Sequence, residues 1–157
     1  MAELIEITRA LELVKDFEPL QRILLTCSGT LQSTLSAYFG REIVVKLVEQ
    51  NCEEGGVIRR IAKLHDGLVV VCHADRQLTI ERDDVREKVI EGEMGIGQVL
   101  ETLEVRPSFE LHEVGDNEHF FWRVYSLRGP GVVYKIRESF PKLLYGGAAS
   151  PGKELSP

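Results

Sequence analysis

The chain has 157 residues, of which 43% are hydrophobic, a size and composition typical of one domain with a substantial core. A net charge of -6 and a pI near 5.3 disfavour nucleic acid or an anionic membrane as the main partner. We expect neither a membrane span nor a secretory leader. The three cysteines, Cys27, Cys52 and Cys72, are an odd number without a CxxC pair, which argues against a disulfide framework and a zinc site. We therefore expect the protein in a reducing cytoplasm.

The first forty residues have the pattern of helices. Apolar residues recur at helical spacing over residues 2–15, which predicts a first helix. Residues 19–40 predict a second helical region with an interruption near Ser28 and Gly29. Gly40 is a suitable residue to close that region.

The middle of the chain changes to the pattern of strands. Residues 42–50, 57–64 and 68–74 are rich in β-branched and alternating residues, and the last two runs are joined by the hairpin turn signal His-Asp-Gly. Residues 82–93 predict a short charged helix, and residues 94–103 predict a glycine-rich turn that leads into another helix.

Three further strands are predicted in the last third, over residues 107–114, 119–128 and 131–140. About six strands at hairpin spacing indicate an α+β domain in which helices pack on one mostly antiparallel sheet. We assign residues 1–146 to this single domain. The remaining residues, 147–157, are small, polar and rich in proline and glycine, so we expect a disordered tail.

The glycine-rich turn before the last predicted helix lacks the third glycine of a dinucleotide-binding GxGxxG motif, and no parallel βαβ unit surrounds it. Gly95 and Gly97 flank Ile96 at the start of the helix, a geometry that can aim backbone N–H groups at an anion. The same glycines are equally suited to a simple tight turn, and the sequence leaves both interpretations open.

Glu138 occupies an unusual place in the final predicted strand. Strand alternation places it on the same face as Val132, Tyr134, Ile136 and Phe140, all of them apolar or aromatic. A carboxylate on a core-facing side costs several kcal/mol unless a partner compensates it. We therefore expect either a bend before Glu138 or a cationic partner inside the fold.

Arg59 and Arg60 are adjacent in a predicted strand, so alternation sends one guanidinium to each face of the sheet. The inward arginine and the inward Glu138 have complementary charges and could relieve each other's cost of burial. Alternation gives Arg60 the more apolar companions on its face. The partner of Glu138 is thus predicted to be one of these two arginines.

With these elements placed, residues 15–146 resemble the chorismate pyruvate-lyase family, whose members cut chorismate into 4-hydroxybenzoate and pyruvate. The segment SGTLQSTL resembles the family's D-S-M-T-K-R-F segment, with Leu31 at the position of the methionine. Arg59 lies seven residues before the turn at Asp66-Gly67, as an arginine does in the family.

Two later segments carry the rest of the resemblance. GIG at residues 95–97 takes the place of a P-L-G turn that opens a helix in the family. ESFPKLLY resembles the family's final E-L-F-L-P…P-L-Y segment, with Glu138 as the glutamate. The family usually carries an arginine or an A-G-R segment after the Asp-Gly turn, where this chain has Ala74 and, two residues on, Arg76.

The resemblance implies a chorismate lyase-like fold and a role for each matched residue. An arginine, which we assign to Arg59 with Arg60 as its rival, binds a substrate carboxylate. Backbone groups at Leu31 and Ile96 help to hold the ligand, and Glu138 faces the ring hydroxyl as the catalytic carboxylate. The implied partner is a small anionic aromatic or cyclic carboxylate, and the chemistry requires no metal or organic cofactor.

Two other functions remain open at this point. The same fold resembles the effector-sensing domain of a class of bacterial transcription regulators, which would make the chain a ligand-binding protein without catalysis. Fewer than 30 residues precede LLTCSGTL, too few for the winged helix of such regulators, so a sensor would need a partner chain. In the third interpretation, Glu138 is only ion-paired within the core of an α+β domain.

Overall fold

A computed structural model describes residues 2–28, 30–92 and 96–145. Gly29, Gly95, the predicted tail at 147–157 and the predicted domain limit at 146 lie outside the described residues. The helices within them are α1 (Ala2–Val14), α2 (Pro19–Thr26), α3 (Leu31–Phe39), α4 (Asp83–Ile90) and α5 (Ile96–Thr102). The strands are β1 (Val44–Cys52), β2 (Val57–Asp66), β3 (Val69–Ile80), β4 (Ser108–Asp116), β5 (Phe120–Gly129) and β6 (Val132–Pro141). Short 3-10 turns cover Glu54–Gly56 and Lys142–Tyr145.

The strands form one six-stranded antiparallel sheet in the order β1-β2-β3-β6-β5-β4. This architecture confirms the predicted α+β class. None of the described helices is long and apolar enough to cross a membrane. The two hairpins β2–β3 and β5–β6 lie side by side, and β3 pairs with β6 at the centre of the sheet.

The chain after α1 consists of two halves with the same order of elements: two helices followed by three strands. In the sheet the second half runs in reverse order, so that β3 of the first half meets β6 of the second. Each half therefore places its last strand at the centre of the sheet.

The helices begin and end where local chemistry requires it. Pro19 starts α2, where its missing N–H leaves no unmet bond, and the Glu18 N–H donates to the Gln21 side chain at 3.2 Å. The predicted helical region 19–40 is divided into α2 and α3, which confirms the expected interruption. Gly40 follows α3 with a φ of +69°, a conformation that only glycine adopts at little cost.

One face of the sheet is buried and the other is open. In β6, alternation buries Val132, Tyr134, Ile136, Glu138 and Phe140. The residues between them on β6 are half-buried or exposed. The strand thus continues straight through Glu138, which settles the choice between a bend and a cationic partner in favour of the partner.

Candidate ligand-binding site

Glu138 forms a buried ion pair with Arg123 of the neighbouring strand β5. The Arg123 Nε donates to Glu138 Oε1 at 2.7 Å, and the two residues are 1% and 3% exposed, respectively. The turn between β5 and β6 pairs Gly129 with Val132, and regular antiparallel pairing from there sets Arg123 opposite Glu138. The partner predicted for Glu138 is therefore present, but it is neither Arg59 nor Arg60.

Further hydrogen bonds complete this buried network. The Arg123 Nη1 donates to the carbonyl oxygen of Cys27 at 2.7 Å and to that of Leu25 at 3.3 Å. The Tyr125 hydroxyl donates to Glu138 Oε2 at 3.2 Å. The Arg123 guanidinium also lies 4.2 Å from the centre of the Tyr125 ring. Arg123 thereby joins the carboxylate of β6 to the C-terminal end of α2.

The electrostatics of the network keep Arg123 charged and Tyr125 protonated. Burial is the largest single effect and lowers the pKa of Arg123, but the charge of Glu138, the smaller contributions of Tyr125 and Cys27 and the hydrogen bond to Glu138 together outweigh burial and raise that pKa. Burial, followed by the Glu138 carboxylate, raises the pKa of Tyr125 above its ordinary value, so its hydroxyl remains a donor. The carboxylate consequently receives two hydrogen bonds from groups that do not titrate near neutral pH.

Arg59 lies on the face of the sheet opposite to Glu138, which corrects the prediction that it faces the ligand. Its Nε and Nη2 donate to Asp75 at 3.1 and 2.7 Å. The reason is the alternation of β2, which buries Ile58, Ala62 and Leu64 on the helix-covered side and turns Arg59 away from them. The spacing to the Asp-Gly turn thus selected the arginine that points away from the face of Glu138.

Arg60 lies on the helix-covered face of β2, as its apolar companions predicted. Its Nε donates to Gln50 Oε1 at 2.7 Å and its Nη2 donates to the carbonyl oxygen of Val89 at 2.8 Å. These bonds join β2 to β1 and to the C-terminal end of α4. Across the strands it pairs in register with Arg76 of β3, so the two cations share one face.

A cavity of about 990 Å³ lies on the helix-covered face of the sheet. It brings together three of the predicted residues, Leu31, Ile96 and Glu138, which all contribute to its lining. Leu31 is the first residue of α3 and Ile96 the first of α5, so the beginnings of both helices border the cavity. Most of the remaining lining is apolar, a composition typical of small-molecule sites.

Arg76 adds a cation to the cavity lining. It lies beside Tyr134: burial raises the pKa of the Tyr134 hydroxyl, and the positive charge of Arg76 opposes that rise. Among the described residues Arg76 forms no ion pair. A guanidinium in a largely apolar cavity without a carboxylate partner is a suitable group to receive an anionic ligand.

Two of these site residues could have been found from the sequence. Alternation from the buried Cys72 and Ala74 sends Arg76 to the same face, and Arg123 alternates with Phe121 and Tyr125 in the same way. Strand alternation thus indicates the face that each arginine occupies. The register of the paired strands is needed to identify the residue that each arginine meets on the adjacent strand.

The arrangement can hold a ring between a cation and a carboxylate. Arg76 on β3 and Glu138 on β6 lie on adjacent strands, and Ala74 pairs with Glu138 in register. A carboxylate has about four acceptor positions, of which Arg123 and Tyr125 use two, so Glu138 can still accept a hydrogen bond from a ligand hydroxyl. The site is suited to a small carboxylic acid that carries a hydroxyl group.

The chain matches no protein-family model and no curated protein.

Proposed function

We propose that the chain binds a small anionic cyclic carboxylate and cleaves chorismate, or a close relative of it, to 4-hydroxybenzoate and pyruvate. The observation that carries the proposal is the position of Glu138, a buried carboxylate at the wall of an apolar cavity that also contains the cation of Arg76. The resemblance of ESFPKLLY to the final segment of the chorismate lyases supports the same assignment of Glu138 as the catalytic carboxylate.

The reaction places modest demands on the protein. The ether bond between the ring and the enolpyruvyl group breaks, the ring carbon that bears the hydroxyl loses its hydrogen, and the ring becomes aromatic. The enolpyruvate released takes up a proton at its methylene carbon and becomes pyruvate, so atoms and electrons balance without a metal or organic cofactor. Orientation of the substrate and management of one proton supply the catalysis.

The proposal gives each residue a task. Arg76 takes the carboxylate-binding role that the resemblance gives to an arginine, in place of Arg59. Glu138 faces the ring hydroxyl, and the bonds from Arg123 and Tyr125 hold its carboxylate in one orientation.

The free thiol of the buried Cys72 is consistent with a cytoplasmic location.

A non-catalytic ligand-binding function is the second candidate. It is favoured by the extent to which Glu138 is already bonded to Arg123 and Tyr125, since a carboxylate held in this way can shape a site without taking part in proton transfer. In that case the same ligands bind and no product forms.

The decisive experiment is an assay of the purified chain with chorismate, in which 4-hydroxybenzoate and pyruvate are quantified by liquid chromatography. We expect product from the wild type and at least a hundredfold lower turnover from Glu138→Gln, since general acid–base groups typically contribute about 10²–10⁴-fold. Arg76→Gln should weaken 4-hydroxybenzoate binding at least tenfold, because one charge-assisted hydrogen bond is worth roughly 1.5–3 kcal/mol.

The matched control is Arg59→Gln, which removes an equally charged side chain from the opposite face of the sheet and should change neither quantity. No product from the wild type, together with 4-hydroxybenzoate binding that Arg76→Gln weakens, would favour the ligand-binding function. If neither chorismate nor 4-hydroxybenzoate binds, the proposal fails, and Glu138 has only a structural role.

A further inference from the structure

The two edges of the sheet differ in how they are covered. At the β4 edge, α1 packs on the strand, and Arg9 Nη1 lies 3.3 Å from Glu110 Oε2. At the other edge, β1 pairs with β2 alone among the described strands. An open edge strand carries N–H and C=O groups that can pair with a strand of another chain. β1 is therefore the edge at which a further strand can be added.

The exposed surface of β1 is rich in apolar side chains. Four of its nine residues are large apolar residues that are 36–56% exposed, namely Val44, Val45, Leu47 and Val48. The opposite edge strand, β4, contains none of the exposed large apolar residues in the described part of the chain. Exposed apolar side chains that are gathered in one place, rather than scattered singly, typically mark a surface that another protein covers.

A bulge in β1 places two opposite charges on the same face of the sheet. In register, Lys46 pairs with Lys63 of β2 and Glu49 pairs with Ile61. Val48 is the additional residue that shifts the register between these pairs. Lys63 and Ile61 are two residues apart on β2, so both lie on the open face of the sheet. Lys46 and Glu49 consequently share that face, whereas in a regular strand they would lie on opposite faces.

This arrangement makes β1 complementary to a second copy of itself. In antiparallel pairing, residues directly opposite each other lie on the same face of the sheet. A twofold axis that passes between Leu47 and Val48 sets these two residues opposite each other across the axis. The same axis sets Lys46 of each copy opposite Glu49 of the other, both on the open face. The pairing thus matches charge with opposite charge and apolar side chains with one another.

The bulge also restricts the choice of register. Alignment of Leu47 with its own copy would oppose Glu49, on the open face, to Val45, on the covered face. Alignment of Val48 with its own copy would oppose Glu49 to Leu47, with the same conflict. Alignment of Lys46 with its own copy would bring like charges together. A lysine and a bulge usually protect an edge, and here they exclude strands that lack the matching charge and bulge.

We propose that the chain forms a homodimer in which the two β1 strands pair antiparallel about a twofold axis between Leu47 and Val48. The sheets of the two copies join into one continuous sheet, and the exposed apolar residues of β1 are covered by those of the other copy. The dimer does not depend on the ligand proposed above, because Val45 is the one residue of β1 that lines the described cavity.

Sedimentation velocity of the purified full-length chain over about 1–500 µM tests the dimer, since this range includes the weak affinities of small interfaces. We expect a reversible dimer. Lys46→Glu and Glu49→Lys should each raise its Kd by roughly tenfold, because the dimer contains this pair twice and either reversal turns both attractions into repulsion. The double variant Lys46→Glu/Glu49→Lys restores opposite charges and should return the Kd to within about threefold of the wild-type value. A chain that stays monomeric over the whole range contradicts the proposal.

Lys135→Glu is the matched control. Lys135 is an exposed lysine on the open face of the central strand β6, so its reversal changes the net charge equally at a distance from β1. It should leave the Kd unchanged, and circular dichroism should show the wild-type fold in every variant. If Lys135→Glu weakens the dimer as much as Lys46→Glu does, or if the double variant fails to restore it, the two charges do not meet across the axis and the proposed pairing is wrong.

Disulfide trapping tests the register independently. In the proposed pairing Val44 lies opposite Asn51 of the other copy, with roughly 4.5–5.5 Å between Cα atoms, a distance that a disulfide can span. In a Cys52→Ser background, which removes the exposed native thiol of β1, Val44→Cys/Asn51→Cys should form a covalent dimer on mild oxidation, visible on a non-reducing gel. Within one chain these two positions are roughly 20 Å apart along the strand and cannot react with each other.

The control for trapping is Val44→Cys alone in the same background. The two copies of Val44 are also roughly 20 Å apart in the proposed register, so this variant should yield at least tenfold less covalent dimer. Equal yields from the single and the paired cysteine variants would show that β1 strands do not meet in this register.

Discussion

Arg123 and Glu138 carry opposite charges into a region that excludes water almost completely. Removing such charges from water costs several kcal/mol each, and mutual attraction offsets this only when the geometry is good and other hydrogen bonds are satisfied. Here the carbonyl oxygens of Leu25 and Cys27 and the hydroxyl of Tyr125 supply those bonds. The pair is therefore tolerated in the core, and it leaves a carboxylate at the wall of the cavity.

Removal of one partner should be far more damaging than removal of both. We expect Arg123→Met to lower the free energy of unfolding by about 3–5 kcal/mol, because Glu138 then remains buried without its cation. Urea denaturation of the wild type and the variant measures this difference.

The control for that experiment is the double variant Arg123→Met/Glu138→Met, in which both charges are replaced by apolar side chains. It should be more stable than Arg123→Met alone, although the carbonyl groups of Leu25 and Cys27 lose their donor. A double variant that is no more stable than the single one would show that the ion pair does not account for the loss.

Strand register decides which side chains meet across the sheet. The β5–β6 hairpin is regular from Gly129 and Val132 onwards, so Arg123 meets Glu138. In β2–β3 the register shifts by one residue between Leu64 and His65, and Arg60 consequently meets Arg76. The two hairpins place an oppositely charged pair and a like-charged pair on the same face of one sheet.

Gly115 of the edge strand β4 leaves space for the ring of Trp122, with which it pairs on the neighbouring strand β5. A Cβ added at Gly115 would lie 2.4–2.9 Å from ring atoms of Trp122, and the rigid indole can yield only by moving away from its position on β5. We expect Gly115→Ala to lower the free energy of unfolding by about 1–3 kcal/mol. Thermal and urea denaturation are suitable measurements.

The same substitution at Gly97 is the control within a helix. A Cβ there meets no atom within 4 Å, and alanine favours a helix over glycine by roughly 0.5–1 kcal/mol. Gly97→Ala should thus stabilise the protein. If both alanine variants changed stability in the same direction, the contact with Trp122 would not be the cause.

The whole molecule is held together where its two halves meet. β3 pairs with β6 over eight residue pairs, from His73 with Ser139 to Ile80 with Val132. The cavity lies over this junction, because its lining includes Arg76 of one half and Glu138 of the other. The proposed site therefore needs both halves folded and paired.

Cooperativity between the halves can be measured with the single tryptophan, Trp122, which belongs to the second half. Leu64 is 1% exposed in β2 of the first half, and Leu64→Ala should lower the free energy of unfolding by about 2–5 kcal/mol. If the halves unfold together, tryptophan fluorescence and far-UV circular dichroism will shift to the same lower urea midpoint.

Leu68→Ala serves as the control, because Leu68 is 98% exposed at the β2–β3 turn and its truncation should change the midpoint little. A tryptophan transition that Leu64→Ala leaves in place, while the circular dichroism shifts, would indicate that the halves unfold separately.

Local patterns in the sequence were sufficient to predict the secondary-structure elements and the α+β fold class. Periodicity predicted the strands and helices within about three residues of their observed limits, except for β3, which was predicted to end at residue 74 and continues to Ile80. The turn signals predicted the hairpins that make the sheet antiparallel. Alternation alone placed Glu138 on the buried face, because the side chains of a strand point to opposite sides whatever the rest of the fold does.

The partners of these residues were decided only by the tertiary structure. Arg59 and Arg60 were the predicted partners because they are adjacent and must face both sides, but Glu138 is bonded to Arg123, which the β5–β6 hairpin places opposite it. Alternation with Cys72 and Ala74 gives the face of Arg76, but only the pairing of β3 with β6 brings it into one cavity with Glu138. Sequence determines which face a side chain occupies through local sterics, whereas the groups it meets there depend on how distant strands pair and where the helices cover them.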